Sequence, residues 1–319
     1  MNLKLFALLF FTFPLFDGVA QAPVERASSI LVVGTGGEDE YATFFKTWAA
    51  DWQKACAAGD VRVTATDARE SLVLLRKALE NEPREGSSPL WIVLFGHGTS
   101  DGKEAKFNLP GDDLAASELA TLLKPFQRPL IIVCGFSASG AFLKPLSGPG
   151  RVLIAATKSG SENNYARFGG YFAESICDPL ADFDKDGQTS VLEAWLLASQ
   201  QAADFYKNEG RLATEHSLLE DNGDGLGTPS DWYKGLRTVK KSKTGQPADG
   251  LRAHQVHLVP SKGERSLSPE AKTERDTLEL ELARLRETKG TLTEDAYYAK
   301  IEPLLRQLAR LYHDTGTPH

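Results

Sequence analysis

Short apolar runs without polar alternation recur along the first half of the chain. Ile30-Leu31-Val32-Val33 closes on Gly34-Thr35-Gly36-Gly37, and Leu90-Trp91-Ile92-Val93-Leu94-Phe95 closes on Gly96-His97-Gly98. Pro129-Leu130-Ile131-Ile132-Val133 closes on Cys134-Gly135, and Arg151-Val152-Leu153-Ile154-Ala155-Ala156 follows. Runs of this kind predict strands buried on both faces, as in a parallel sheet. Val61-Arg62-Val63-Thr64 alternates instead and predicts an edge strand. Between the runs, Tyr41, Phe44, Phe45, Trp48 and Trp52 fall at helical spacing, and Leu72–Leu79, Ala115–Leu123 and Phe168–Cys177 supply further helices. Strand and helix therefore alternate over residues 23–178, which predicts an α/β fold with a doubly wound, mainly parallel sheet.

The pattern changes downstream. An acidic, glycine-punctuated segment covers 179–236, with a helix predicted over Val191–Asn208. Residues 237–266 are rich in Lys, Ser, Gly and Pro and read as a linker or extended arm, in which Val256, Leu258 and Val259 can dock on the core. Residues 267–319 predict a helical hairpin. Ser268-Pro269-Glu270 is its start signal, Leu278, Leu282 and Leu285 mark one face, and Gly290 is the stop. Thr293 caps a second helix faced by Tyr297, Ile301, Leu304, Leu308 and Leu311, with Pro303 inside it. The hairpin carries no catalytic pattern and is expected to pack on the core or on a protein partner.

Composition narrows the classes. The formal net charge of −7 argues against nucleic acid or an anionic membrane as the main partner. Residues 1–22 match a secretory signal: Lys4, an apolar stretch from Leu5 to Phe16, then small residues at Gly18, Ala20 and Ala22. The mature chain is expected to be soluble and exported to a periplasmic or extracellular space. Of its three cysteines, Cys56 and Cys177 can pair in an oxidising compartment and leave Cys134 free; three unpaired, mostly buried cysteines is the other reading. The Gly34–Gly37 turn is not a phosphate loop, because it lacks both the G-x-G-x-x-G pattern and a following Lys-Ser or Lys-Thr.

Parallel sheets react at the carboxyl ends of their strands. His97 and Cys134 both stand at such ends, so a thiol and an imidazole can meet there. A thiol attacks a carbonyl as thiolate, the leaving amine needs a proton, and the oxyanion needs converging N–H donors. Gly98 and Gly135 allow close backbone approach to a substrate.

The order of apolar strand, Gly-His-Gly, helix, apolar strand and Cys resembles the caspase and legumain families of cysteine peptidases, of the caspase-hemoglobinase fold. Arg151–Ala166 is similar to the legumain strand and loop after the nucleophile, and the likeness is nearest to legumain-like proteins of bacterial exported type. The resemblance implies that Cys134 is the nucleophile, that His97 protonates the leaving amine, and that the N–H groups of Gly98 and Cys134 form an oxyanion hole. It implies that Thr157–Asn163 lines a substrate pocket, with Thr157, Ser161, Glu162 and Asn163 as the contacts. The chain departs from the family at one point. The run Ser137-Ala138-Ser139-Gly140 begins three residues after Cys134, where legumain-like chains have it two residues after the nucleophile. If that run sets the register, Gly135 takes the nucleophile position and Cys134 faces the other side of the sheet. A bulge at Gly135 would restore the geometry.

The most specific motif lies in the acidic segment. Asp182-Phe183-Asp184-Lys185-Asp186-Gly187, five residues, then Glu193 match the EF-hand calcium loop D-x-D-x-D-G-x5-E. Ca2+ takes about six to eight oxygens. Asp182, Asp184 and Asp186 supply alternate carboxylates, Gln188 its carbonyl, Ser190 a held water and Glu193 two oxygens. Glu220, Asn222, Asp224 and Asp231 form a weaker second loop in the same register, with Glu220 in place of Asp and Asp231 in place of Glu. The helix between the two loops suits an EF-hand pair. The leading expectation is an exported, calcium-binding, legumain-like cysteine peptidase that cleaves peptide or protein substrates through a thioester. The alternative is an inactive calcium-binding relative that acts as a binding or scaffold protein.

Overall fold

A computed structural model describes residues 26–66, 69–242 and 245–314. The expected signal segment lies outside them. In chain order the α/β unit runs β1 (Ser28–Val33), α1 (Asp39–Ala58), β2 (Arg62–Thr66), α2 (Ser71–Glu80) and β3 (Leu90–Phe95). A small three-stranded sheet follows, of β4 (Gly98–Ser100), β5 (Ala105–Phe107) and β6 (Leu114–Ala115). Then come α3 (Ala116–Leu123), β7 (Leu130–Gly135), α4 (Leu143–Leu146), β8 (Arg151–Ala155), α5 (Phe168–Ser175) and α6 (Val191–Asn208). After α6 lie β9 (Leu218–Glu220), β10 (Thr228–Pro229), the ribbon β11 (Tyr233–Lys234) and β12 (Arg237–Thr238), and four helices. These are α7 (Leu251–Gln255), α8 (Lys262–Ser266), α9 (Pro269–Glu287) and α10 (Glu294–Asp314).

The main sheet has seven strands in the order β10-β9-β8-β7-β3-β1-β2. The pairings from β2 through β8 are parallel, and β9 and β10 add antiparallel strands beyond β8. The alternating strand β2 is the edge, as its sequence predicts.

Successive residues of each central strand enter opposite cores, because side chains alternate across a pleated sheet. On one face, Leu31, Trp91, Val93, Phe95, Ile131 and Val133 meet Phe45, Trp48 and Trp52 of α1, Phe172 of α5 and Trp195 of α6. On the other, Ile30, Val32, Ile92, Leu94, Ile132 and Cys134 meet Leu72 and Leu75 of α2, Leu119 and Leu123 of α3, and Leu146 of α4. Each fully buried aliphatic side chain contributes about 1.5–3 kcal/mol, and because both faces of β3 and β7 are buried the choice of face rests on the fit of each side chain to its core.

The segment 249–261 lies against the α/β unit. Ala253 and Leu258 are buried in its core, the Val191 amide donates to the Val256 carbonyl at 2.8 Å, and Ser190 forms an antiparallel bridge with His257. α9 is capped by Ser268, whose Oγ accepts from the Ala271 amide. α9 and α10 pack through Leu278, Leu282, Tyr297, Ile301 and Leu308, a small core of their own. Among the described residues, no helix is long and apolar enough to cross a membrane.

Candidate functional site

β3 and β7 are adjacent and in register, Leu94 opposite Cys134 and Phe95 opposite Gly135. The loops that follow them therefore start side by side. The side chains of interest nevertheless diverge. Cys134 is buried in the core of α2, α3 and α4, and that burial pushes its thiol well above the ordinary cysteine value. His97 lies on the opposite side of the sheet, among aromatic rings. Its ring centroid is 5.1 Å from those of Tyr41 and Phe45 and 6.0 Å from that of Tyr165. Burial lowers the imidazole pKa below its usual value, while a hydrogen bond to the Gly36 backbone pulls it up by less. The expected Cys134–His97 dyad is thus not brought together. The cause is strand parity: Cys134 is one residue out of step with the face that His97 serves, and β7 keeps its ladder through Gly135 without a bulge.

The position that parity would assign to a nucleophile is Gly135, and it is closed in. A Cβ built there would stand 2.8 Å from Phe95 Cδ1 and 2.9 Å from Gly169 Cα. α5 begins directly over the end of β7, and its Gly169 and Gly170 admit the Trp48 indole, so helix and indole stopper the strand end. The amide of Gly98, the expected oxyanion donor, is also engaged. It donates to Ser137 Oγ at 3.0 Å, and that hydroxyl in turn donates to the Gly98 carbonyl at 3.0 Å. Ser137 is buried, and a Cβ on Gly98 would meet its carbonyl oxygen at 2.3 Å. Ser137 carries no sequence signal for this role beyond its place in the hydroxyl-rich run.

The expected pocket residues hold the loop together. Thr157 is buried, and its Oγ1 lies 3.2 Å from Ser139 Oγ and accepts from the Gly140 amide at 3.0 Å. Glu162 accepts from the Lys158 amide at 2.9 Å and the His216 amide at 3.2 Å, and pairs with His216 Nδ1 at 2.5 Å. Ser161 packs its hydroxyl on Ser159 at 2.8 Å, and Asn163 is exposed. Near His97 the surface instead opens as an aromatic groove of about 410 Å3, lined by Tyr41, Phe44, Trp48, Tyr165, Arg167 and Tyr171, among others. The Arg167 guanidinium lies over the Tyr165 and Phe205 rings, 4.9 and 4.1 Å from their centroids.

The acidic loop before α6 gathers carboxylates. Oxygens of Asp182, Asp184 and Glu193 all lie within 4.8 Å of one another. Three structural features produce this. Lys185 at φ 63° and Gly187 at φ 86° turn the loop back on itself. Asp182 accepts from the amides of Asp186 at 3.1 Å and Gly187 at 3.2 Å. Glu193 and Ser190 form a capping box at the start of α6, and Glu193 Oε1 reaches back to the Phe183 amide at 2.8 Å. Asp186 is not part of the converging trio and takes the Gln188 amide and side chain, at 3.0 Å each. Burial raises its carboxyl pKa, the Gln188 hydrogen bonds oppose the rise, and the neighbouring Asp184 and Glu193 charges add to it. Gln188 Oε1 accepts from the Ser261 amide at 2.9 Å. His254 Nε2 stands 3.0 Å from Asp184 Oδ2. The donor set is all oxygen and partly buried, which fits a hard divalent cation.

The second acidic loop is not the partner of the first. The strand-like edge of the first loop, at Ser190, bridges His257. Residues 221–227 instead form the turn between β9 and β10 at one edge of the main sheet. Asp231 does not close this turn; it is exposed and paired with Lys240. Two acids outside the expected set organise the region, Asp221 and Asp249, both buried. Cys56 is buried, its thiol pushed up to about 12 by burial, Cys177 is exposed, and both are free thiols.

No family model matches the chain, and no curated protein matches it. Among solved structures it is similar to the Drosophila initiator caspase Dronc, at 13% identity and a TM-score of 0.41, over 63% of this chain and 81% of that one.

Proposed function

We propose that this protein is an exported, calcium-binding scaffold or binding protein on a peptidase-like α/β frame, without cysteine-peptidase activity of its own. The observation that carries the reading is the placement of the Cys134 thiol and the His97 imidazole on opposite faces of the sheet. A thioester mechanism needs both groups within hydrogen-bond reach of one scissile carbonyl. The engaged Gly98 amide and the filled space at Gly135 support the same conclusion. The peptidase reading that the motif order favours would require β7 to shift by one residue, which would exchange Ile132 and Val133 between the two cores and force both to repack.

The 182–193 loop is then an EF-hand-type calcium site, with Asp182, Asp184 and Glu193 as the central ligands. In a calcium-rich exported setting the metal acts as a structural clip. It ties α6 to the 249–261 segment through Ser190–His257 and Gln188–Ser261. The aromatic groove beside His97 is the binding surface this reading favours.

The test is labelling of the folded protein with a thiol-reactive peptide electrophile. Cys134 is expected to stay unlabelled until denaturant is added, with exposed Cys177 as the internal positive control. Labelling of Cys134 in the native state that slows in His97→Ala restores the peptidase reading.

A further inference from the structure

Glu220 is the last residue of β9 and is fully buried. Its Oε1 accepts from the Gly223 amide at 2.7 Å, the Gly225 amide at 3.4 Å and the Ser147 hydroxyl at 3.0 Å. The carboxylate head is thereby held inside the 220–226 turn. Its Oε2 is enclosed and has no hydrogen-bond partner. A buried carboxylate oxygen left in that state carries its whole desolvation penalty.

The neighbouring acids behave differently. Asp249 Oδ1 accepts from the amides of Asp221 at 2.8 Å and Asn222 at 3.1 Å, and its Oδ2 accepts from Thr228 Oγ1 at 2.7 Å. Asp221 takes the amides of Gly250 at 2.9 Å, Arg252 at 2.8 Å and Ala253 at 2.9 Å. Every carboxylate oxygen of the two has at least one hydrogen-bond partner, Asp249 within the turn and Asp221 at the start of α7. Glu220 Oε2 is the oxygen the fold leaves over.

We propose that the 220–226 turn is a second divalent-cation site, an all-oxygen site for Ca2+ anchored by Glu220 Oε2. Asn222 and Asp224 stand on the exposed rim of the turn. Each uses one oxygen locally, Asn222 Oδ1 for the Asp224 amide at 2.9 Å and Asp224 Oδ1 for the Leu226 amide at 2.7 Å. Both keep lone pairs for a cation. The turn is wound in the same sense as the first loop, with Gly223 at φ 85° and Gly225 at φ 74° against Lys185 at 63° and Gly187 at 86°. Glu220, Asn222, Asp224 and the Leu226 carbonyl supply the protein ligands, and water completes the six to eight that Ca2+ takes. Asp231, bound to Lys240, is not among them. Arg151, coupled to Glu220 by charge, directs its guanidinium hydrogen bonds to the carbonyls of Leu146 at 2.6 Å and Leu123 at 3.2 Å rather than to the carboxylate. The site stands independently of the 182–193 loop.

Calcium chloride titrated calorimetrically into the full chain tests this. The wild type is expected to bind two ions, Asp182→Ala/Asp184→Ala one, and that variant with Asp224→Ala added none. Glu220→Gln alone is expected to bind one. Should Glu220→Gln fail to fold, the exposed Asp224→Ala carries the test. An Asp182→Ala/Asp184→Ala chain that folds and binds no calcium overturns the proposal, as does full binding by Asp224→Ala. Unchanged binding by Asp182→Ala/Asp184→Ala would instead overturn the first loop and leave this site standing.

Discussion

The Ser137 hydroxyl bridges the amide and the carbonyl of Gly98, 3.0 Å from each. It occupies the donor that a peptidase of the expected type would present to its oxyanion, and it pins the chain just after His97 to the chain just after β7. The bridge is a structural tie between two loops, and its removal leaves a buried N–H and a buried C=O without this partner.

Ser137→Ala is expected to destabilise the protein by about 1–3 kcal/mol, the cost of an unmade buried hydrogen bond. At about 2–4 °C per kcal/mol the loss is readable as a lowered Tm. No peptide hydrolysis is expected to appear in the variant, and its appearance would contradict the tie.

Gly135→Ala is expected to cost about 1–3 kcal/mol, since a new methyl group must push apart β7, Phe95 and Gly169. Gly290→Ala is the control: a Cβ there meets nothing within 4 Å, so Tm should stay unchanged. Equal Tm values for the two variants would show that the strand end is open.

His97 contributes a pH dependence of known sign. Its folded pKa lies below 6.5 because burial disfavours the imidazolium. The unfolded chain therefore binds the proton first, and the stability that neutral His97 contributes is present above pH 6.5 and is lost as pH falls through the folded pKa. Denaturant melts of wild type and His97→Gln should diverge less at pH 5 than at pH 8. An NMR titration of His97 at or above 6.5 would refute the premise.

Calcium at 100 times its Kd should stabilise the fold by about 2.7 kcal/mol per site. Asp184→Ala is expected to remove the share that belongs to the 182–193 loop. Glu193→Ala should lower Tm even in chelator, because the capping box and the Phe183 tie are lost along with the ligand. A Glu193→Ala chain as stable as wild type in chelator would separate this residue from the start of α6.

Local pattern was enough to specify much of this protein. The short apolar runs at Ile30, Leu90, Leu130 and Val152, closed by turn residues and separated by helical segments, pointed to buried parallel strands, and the ladders bear this out. The Asp182–Glu193 spacing determined a convergent carboxylate cluster, because the positive-φ turns and the helix cap it needs are themselves local. What local pattern could not decide is which way a given side chain faces once several elements compete for the same space. The step from Cys134 to Gly135, the stopper of Trp48 and Gly169, the bridge from Ser137 to Gly98, and the use of His257 in place of the second loop are all contacts between distant segments. Each is settled by packing, where moving one residue along a strand exchanges the two cores, and no short window of sequence contains that choice.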